Sequence, residues 1–584
     1  MKLFIQSVGR RIPWRGSQRQ RFSSSGSTAT KSSRLKSGVF IAGAGILGIY
    51  SFNEPQFSLA TRRTARSAYC VGSIAFDYKT SLSEGPEKIG PQEYDKRKSE
   101  AHQRSAEKLL ELCRTNGGIF VKLGQHIAAM VYLLPIEYTS TLRPLWDKCQ
   151  ETPLSEIEKL FQTDAGNTIS EMFASFDPKP IGVASIAQVH KAVLKTGQVV
   201  AVKIQHPVLD EHVKVDTQTV TLMVRFIKRV FPDFEFGWLA DELRESLPLE
   251  LDFRCEAKNA EKVRSNFKDH AVLQIPKVYD ARRRILIMEY IDGANVDEVS
   301  YIKKHDINTR AVSTELNKIF SEMIFLHGFV HCDPHTANVF IRSRPKPSIW
   351  TRFWSHVFNR PHINPYNFEL VLLDHGLYRT LERSFRLAYA RLWDALIRSD
   401  ERGIADASHE LFMSDLRLRG RQDGIDRHRL FASMLTGRSW EALSSEGGMS
   451  KLRTADEMGV IRSKAVQGPF FTAIAEILAQ VPRELLLLLK TADLLRSVDE
   501  SLGLAGKDQD HMVRMVAVMG TYTSRALYED EMASLSLTRT FVSPLYFDFR
   551  FWGIWARYMS AIGRLYLVRV YLFQKRVGNI LFKN

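Results

Sequence analysis

Lys203 closes the run Val-Ala-Val-Lys, and Glu256 follows it in a stretch of helical pattern. Further along, His331-Cys332-Asp333 is followed five residues after the aspartate by Asn338, and the apolar run 370–373 ends in Asp374-His375-Gly376. A strand lysine held by a helix glutamate contacts phosphate oxygens. An aspartate near the acceptor orients it, and an asparagine with a second aspartate coordinates Mg²⁺. These are the residue types that phosphoryl transfer from ATP requires, with ATP and Mg²⁺ as cofactors. Each piece alone reads equally well as an ordinary surface or turn residue. Together, in this order and on the matching predicted elements, they point to one chemistry: Lys203 and Glu256 for the nucleotide, Asp333 as the catalytic residue, Asn338 and Asp374 for the metal.

The elements that must position these residues follow from the pattern. Alternating β-branched stretches at 188–194 and 198–204, separated by Lys195-Thr196-Gly197, predict two strands and a tight turn. A helical region over 216–267, broken near Pro248, carries Glu250, Asp252 and Glu256. A second strand pair is expected at 277–278 and 284–291, and Glu289 and Ile291 on it join the candidate nucleotide-binding residues. Residues 100–134 are helical in pattern, interrupted by Asn116-Gly117-Gly118, and residues 80–98 read as a linker rich in Gly, Pro and charge. After Asp297 the chain is helical to about residue 540, except for 339–373 with its strand-like ends. The fold class is α+β: a bilobal, protein-kinase-like arrangement with a small mixed lobe at 177–296 and a mostly helical large lobe at 297–540, preceded by helical residues 100–176.

Departures from the usual kinase set are as informative. Kinases carry GxGxxGxV ahead of the lysine; here the frame reads Gly182-Val183-Ala184-Ser185-Ile186-Ala187-Gln188-Val189. Gly182, Ala184 and Ser185 are the candidate nucleotide-covering residues. Alanine restricts both positive φ and close backbone approach, so the loop should cover a nucleotide differently from a glycine loop. Cys332 replaces the HRD arginine and His375 the DFG phenylalanine, and no APE follows. Helix begins at about Leu381, leaving little activation segment to dock a protein substrate. His375 is open to two readings, a metal ligand or a packing and hydrogen-bonding group.

On these marks the chain resembles the UbiB family of atypical kinases, also called the ABC-one or aarF-domain-containing kinases. The marks are Lys122-Leu123-Gly124-Gln125, the alanine loop running into Gln188-Val189-His190, Glu250-Leu251-Asp252 with Glu256, His331 to Asn338, and Asp374-His375-Gly376. The resemblance covers residues 100–400 strongly and is similar to the mitochondrial branch of that family. It implies a kinase-like fold whose N-terminal helical extension lies over the active cleft. It places Lys122, Gln125, Glu250 and Asp252 on that occluding surface. It also implies ATPase chemistry rather than protein phosphorylation, and a role in coenzyme Q or mitochondrial lipid homeostasis with a lipid or quinone ligand. From the residues alone, Lys122 reads equally as a solvated helix lysine.

Charge is distributed unevenly. The net charge is +16. Nine Lys/Arg and no acid fall in residues 1–53, and seven basic residues against Asp548 fall in 541–584, which leaves the body near neutral. A basic body tracking nucleic-acid phosphates is therefore not supported. The Arg- and Ser-rich, acid-free residues 1–36 have the composition of a mitochondrial presequence. The uncharged residues 37–53 read as a transmembrane anchor, followed by a linker at 54–99. These imply a single-pass inner-membrane protein with its body in the intermembrane space. The basic, aromatic tail 541–584 and the insert 341–368, with Trp350, Phe353, Trp354 and Phe358, suit contact with a membrane surface. Cys70, Cys113, Cys149, Cys255 and Cys332 form no CxxC pair and read as reduced, mostly buried thiols.

Two rival readings use the same residues: a non-catalytic regulator that binds lipid under the control of ATP, and a small-molecule phosphotransferase.

Overall fold

The computed structural model describes residues 59–128, 134–146, 151–231, 237–346, 348, 350, 364–412, 427–436, 438–444, 477, 481–504, 510–538 and 544–581. The chain divides into two compact units, Met1–Asp252 with Arg282–Ile287, and Phe253–Ala281 with Met288–Asn584.

The first unit opens with helices α1 (Leu59–Ser81), α2 (Pro86–Ile89), α3 (Pro91–Asn116), α4 (Ile119–Ala128) and α5 (Ile136–Leu142), then α6 (Leu154–Leu160) and α7 (Ile169–Met172). Residues 80–98, expected as a linker, are largely helical. Gly85 and Gly90 each stand just before a helix whose first residue is proline, so the Gly-Pro pairs punctuate helices there. The break expected at Asn116-Gly117-Gly118 is present, and Gly117 closes α3 at φ 65° with its N–H on the Cys113 carbonyl at 2.9 Å.

Strands β1 (Phe173–Phe176), β2 (Gly182–Val183), β3 (Ala187–Leu194) and β4 (Val199–Gln205) follow, with β1 and β4 flanking β3 and β2 pairing with it. The β3–β4 register sets Val189 opposite Lys203, and Gly197 makes the turn between the strands at φ 88°. Side chains alternate across a strand. Val200, Val202 and Ile204 therefore enter one core with Ile157, Leu160 and Phe161, and Lys203 takes the other face of β4. Helices α8 (Val208–Val230) and α9 (Gly237–Glu250) complete this unit. Pro248 lies inside α9, near its end, and the break expected near it falls at Leu251 and Asp252, between α9 and the helix that begins at Phe253.

The second unit begins with α10 (Phe253–Asn266), β5 (Leu273–Gln274) and β6 (Val278–Ala281). The chain passes between the units along β7 (Ile285–Glu289). Then come β8 (Ala294–Asn295), α11 (Val299–Lys304), α12 (Thr309–Glu322), β9 (Phe329–His331), β10 (Val339–Ser343), β11 (Phe368–Leu372) and β12 (Tyr378–Thr380). A sheet of order β5-β11-β10-β8 has β11 at its centre, and every residue of β11 is buried. Its apolar residues Phe368 and Leu370 to Leu372 match that position, and the buried Glu369 is paired. Gly293, just ahead of β8, has room for nothing larger, since a Cβ there would meet the Ile341 carbonyl oxygen at 2.7 Å. Strands β9 and β12 form a separate antiparallel pair. The rest is helical: α13 (Arg383–Arg398), α14 (Glu401–Leu411), α15 (Arg427–Thr436), α16 (Trp440–Ser444), α17 (Arg483–Ser501), α18 (His511–Thr538) and α19 (Pro544–Leu581).

Two expectations change. The anchor read at 37–53 and the presequence at 1–36 lie outside the described residues. Among the described residues no helix is long and apolar enough to cross a membrane, which corrects the single-pass inner-membrane reading. Even α19, at 38 residues, is interrupted by Arg550, Arg557, Arg564 and Arg569. The insert also keeps less free positive charge than its composition indicates. Arg342 and Arg344 both pair with the buried Glu369, at 2.6 and 2.8 Å, and Lys346 pairs with Asp306 at 2.7 Å.

In the first unit a buried ion pair fastens α1 to α8. Arg63 donates from Nε to Asp216 Oδ1 at 2.9 Å, bonds Oδ2 through a second nitrogen, and bonds the Asn116 carbonyl through a third. Asp216 is 2% exposed, so losing its cation strands a buried charge. Arg63→Ala should therefore lower stability by about 3–5 kcal/mol. Urea unfolding of the full chain checks this; a change within about 0.5 kcal/mol, the surface-substitution range, would contradict it.

Candidate functional site

In the second unit three predicted site residues are brought together by strand pairing. Val339 stands opposite Leu372, so Asn338 and Asp374 sit at the same end of the β10–β11 ladder, and the Leu373 N–H donates to the Asn338 carbonyl at 3.0 Å. Asp333 follows β9, whose partner β12 lies just beyond Gly376; Tyr378 pairs with His331, and the Cys332 N–H donates to Leu377 O at 3.1 Å. The Asn338 side chain closes the group by donating from Nδ2 to the Asp333 carbonyl at 3.0 Å. Only the amide nitrogen can face a carbonyl at that distance, which leaves Oδ1 as the outward atom, the donor type that a hard cation takes. Asp374 Oδ1 accepts the Gly376 N–H at 2.8 Å. Among the described residues no group of three or more His, Cys, Asp or Glu side chains is placed to hold a metal. A Mg²⁺ of the nucleotide-bound kind needs fewer, because phosphates and water supply its other ligands.

His331 and His375 are packing groups. His331, His375, Tyr378 and Phe329 stack, with His331 and Tyr378 centroids 5.0 Å apart and Phe329 and Tyr378 4.7 Å apart. His375 donates from Nε2 to the Leu372 carbonyl at 3.2 Å and accepts the Tyr378 hydroxyl on Nδ1 at 2.9 Å. Both ring nitrogens are thus engaged within the stack, which favours packing over metal ligation. Burial pushes the Tyr378 hydroxyl well above its usual pKa. Glu256, buried on α10, accepts the His375 N–H at 3.4 Å, and Asn259 one turn later donates to the His375 carbonyl at 2.9 Å. The peptide groups flanking His375 are both held by α10.

Two residues that the sequence did not single out belong here. Asn259 could have been found from its spacing to Glu256 on one helix face. Lys490, on α17, donates to Asp333 Oδ1 at 2.9 Å from 157 positions away. Its one sequence signal is a lone charge closing the run Leu485 to Leu489.

In the first unit the KxGQ and ExD residues meet. Lys122 pairs with Glu250 at 3.0 Å, the carboxylate side chain 4% exposed, so Lys122 is not the solvated helix lysine. Ile119, Leu247 and Leu251 pack together beside the pair, with Ile186 of the alanine loop against them. Gly124 lets α4 sit tightly: a Cβ there would collide with Leu145 Cδ1 and stand 3.1 Å from Cys113 Sγ. Gln125 donates to Leu145 O at 3.1 Å and stands 3.4 Å from the Ser185 hydroxyl, which donates to it. The alanine loop is a tight hairpin. Its Ala184 N–H donates to Ala187 O at 2.7 Å, and no alanine of the loop is among the positive-φ residues. His206 clamps its back, donating from its main chain to Ile186 O and lying 3.0 Å through Nε2 from Ala184 O. Gln188 and His190 of the AQVH run are buried and structural: Gln188 accepts the Thr152 N–H at 2.7 Å, and His190 bonds the Asp177 carbonyl at 2.8 Å.

Lys203 is 7% exposed on β4, and Asp252 follows α9 in the same unit. Glu289 ends β7, where it accepts the Lys277 N–H at 3.2 Å, and Ile291 follows two residues beyond the strand.

The ABC1 atypical kinase-like domain matches residues 144–408. The chain is 40% identical over 469 residues to AarF domain-containing protein kinase 1 of Mus musculus, covering 80% of this chain and 82% of that one. It is 37% identical over 472 residues to AarF domain-containing kinase 1 of Drosophila melanogaster, covering 80% and 85%. It is 35% identical over 572 residues to the ABC1 family protein MCP2 of Saccharomyces cerevisiae, covering 94% of each.

Burial lowers the His331 pKa from its ordinary 6.5, against the opposing pull of Asp333 and Asp374. The unfolded chain then binds the proton that the folded one refuses, so this contribution is complete above about 6.5 and is lost as the pH falls below it. The thermal midpoint should drop between about pH 7.5 and about pH 5.5, and drop less in His331→Phe. Equal drops in the two proteins would contradict the assignment.

Proposed function

The chain belongs to the ABC1 family of atypical kinases, and on that premise we propose that it binds MgATP and hydrolyses it, or passes on its terminal phosphoryl group, in mitochondrial coenzyme Q or lipid homeostasis. The observation that carries this reading is the placement of Asp333, Asn338 and Asp374 at neighbouring strand ends of one unit. Asn338 Oδ1 and the Asp374 carboxylate are the ligands for Mg²⁺, which when bound neutralises phosphate charge. Asp333 orients the attacking oxygen. Lys203 contacts the nucleotide phosphates. Glu256, through the His375 amide, holds the backbone beside Asp374. Gly182, Ala184 and Ser185 cover the nucleotide, and Glu289 and Ile291 complete the binding set. Lys122, Gln125, Glu250 and Asp252 form the occluding surface, where the Lys122–Glu250 pair supplies the latch. A peptide substrate is disfavoured because β12 begins two residues after Gly376 and α13 starts at Arg383, which leaves no long activation segment.

Contact with a membrane surface is supported by α19. Trp552, Trp555, Tyr566 and Tyr571 are exposed along it, with Arg550, Arg557 and Arg564 recurring every seven residues beside them. That mixture suits the headgroup region of an anionic bilayer.

MgATP should raise the thermal midpoint of the full-length protein. Lys203→Ala should abolish that rise, and Asp374→Asn should respond equally to ATP with and without Mg²⁺. Wild-type behaviour in both variants would defeat the reading. The protein should sediment with phosphatidylserine-containing vesicles and not with neutral phosphatidylcholine ones, and Trp552→Ser/Trp555→Ser should weaken this. Equal sedimentation of the variant would remove α19 from the account.

A further inference from the structure

Lys490 is 7% exposed, and its ammonium donates to Asp333 Oδ1 at 2.9 Å. Helix α17 places it there. Leucines 485–489 are all buried, so the helix is enclosed on every side over this stretch, and the Thr491 hydroxyl bonds back to Leu487 O at 2.8 Å. Near its far end, Asp499 accepts the Ser313 hydroxyl at 2.5 Å and pairs with His511 at 3.1 Å. The lysine is thus held on a fixed helix whose other buried polar groups are paired.

An ammonium carries three donors. Asp333 takes one, and the other two have no protein partner among the described residues. A buried cation with unused donors beside the residue that orients the attacking oxygen is equipped for an anion. The segment from His331 to Asn338 contains no lysine or arginine; Lys490 brings a positive charge to Asp333 Oδ1 from this distant helix, and the His335 ring lies 3.9 Å from Oδ2. A terminal phosphate brought next to a bare carboxylate would be repelled; with the ammonium between them, both anions face the same cation.

We propose that Lys490 is a second phosphate-binding lysine, which fixes the Asp333 carboxylate and gives its remaining N–H donors to the terminal phosphate of the bound triphosphate. The proposal rests on the MgATP reading and adds a residue and a discrimination to it: the site distinguishes a nucleoside triphosphate from a diphosphate through Lys490. A purely structural ion pair would make no such distinction.

The test is calorimetric titration of the full chain with the Mg²⁺ complex of the non-hydrolysable imido analogue of ATP and, separately, with MgADP. Loss of charge-assisted bonds to the terminal phosphate in Lys490→Met should weaken analogue binding by about tenfold and leave MgADP affinity unchanged. Since this change also leaves Asp333 without its cation, the same comparison is made between Asp333→Asn and the double variant Asp333→Asn/Lys490→Met, in which no charge is stranded. The double variant should again lose about tenfold for the analogue alone. An unchanged ratio of analogue to MgADP affinity on removing Lys490, with wild type binding both, would overturn the role of Lys490 and leave the MgATP reading standing. A wild-type chain that binds neither nucleotide would overturn both.

Discussion

The antiparallel ladder of β10 and β11 is the constraint on which the site depends. The asparagine and aspartate proposed to hold the metal are separated by a long insert and must arrive side by side, and a one-residue slip of either strand would turn its residue to the opposite face of the sheet. The register is held by the complete burial of β11, by β5 on its other edge, and by Glu369 gripping two arginines across and beyond the hairpin. The insert can therefore lengthen or diverge without moving Asn338 or Asp374, because loop length costs only slowly growing entropy. The second ladder, β9 with β12, does the same for Asp333, and the aromatic stack of His331, His375 and Tyr378 braces it.

This chain's departures from ordinary kinases make physical sense around that frame. A histidine in place of the DFG phenylalanine keeps an aromatic face for stacking and adds two hydrogen bonds that tie it to Leu372 and Tyr378. The loop carries alanine at its second and third glycine positions because its turn is a tight hairpin pinned by His206 and by Gln125 through Ser185, with its Ala184 amide already committed to Ala187. A loop fastened in this way is stiffer than one that must wrap phosphates with free amides. Next to it, the glycine of KxGQ is explained by the closeness of Leu145 and Cys113 to α4, not by any ligand.

Much of this was legible in the sequence because the motifs sit at strand and helix ends, where local patterning shows. The turn at Lys195-Thr196-Gly197, the strands carrying Lys203 and Asp374, and the break at Gly117 all declare themselves through period and glycine placement. What stayed hidden depends on contacts between distant segments. Lys490 meets Asp333 across 157 positions, and nothing local distinguishes it from a helix lysine facing solvent. The helices over 80–98 were misread because glycine and proline mark helix starts as readily as linkers. The basic character of the insert was overstated because its acidic partners, Glu369 and Asp306, lie at or beyond its ends. Composition reports charge and not where its counter-charge comes from.

The claim at the centre is that Asn338 and Asp374 form a metal site completed by nucleotide. Electron paramagnetic resonance titration of Mn²⁺ into the full-length protein addresses it directly. The account predicts tight uptake of Mn²⁺ when ATP is present, weak uptake without it, ³¹P hyperfine coupling in the bound signal, and loss of that signal in Asn338→Ala. Mn²⁺ uptake that is indifferent to ATP, or a coupled signal that survives Asn338→Ala unchanged, would contradict it.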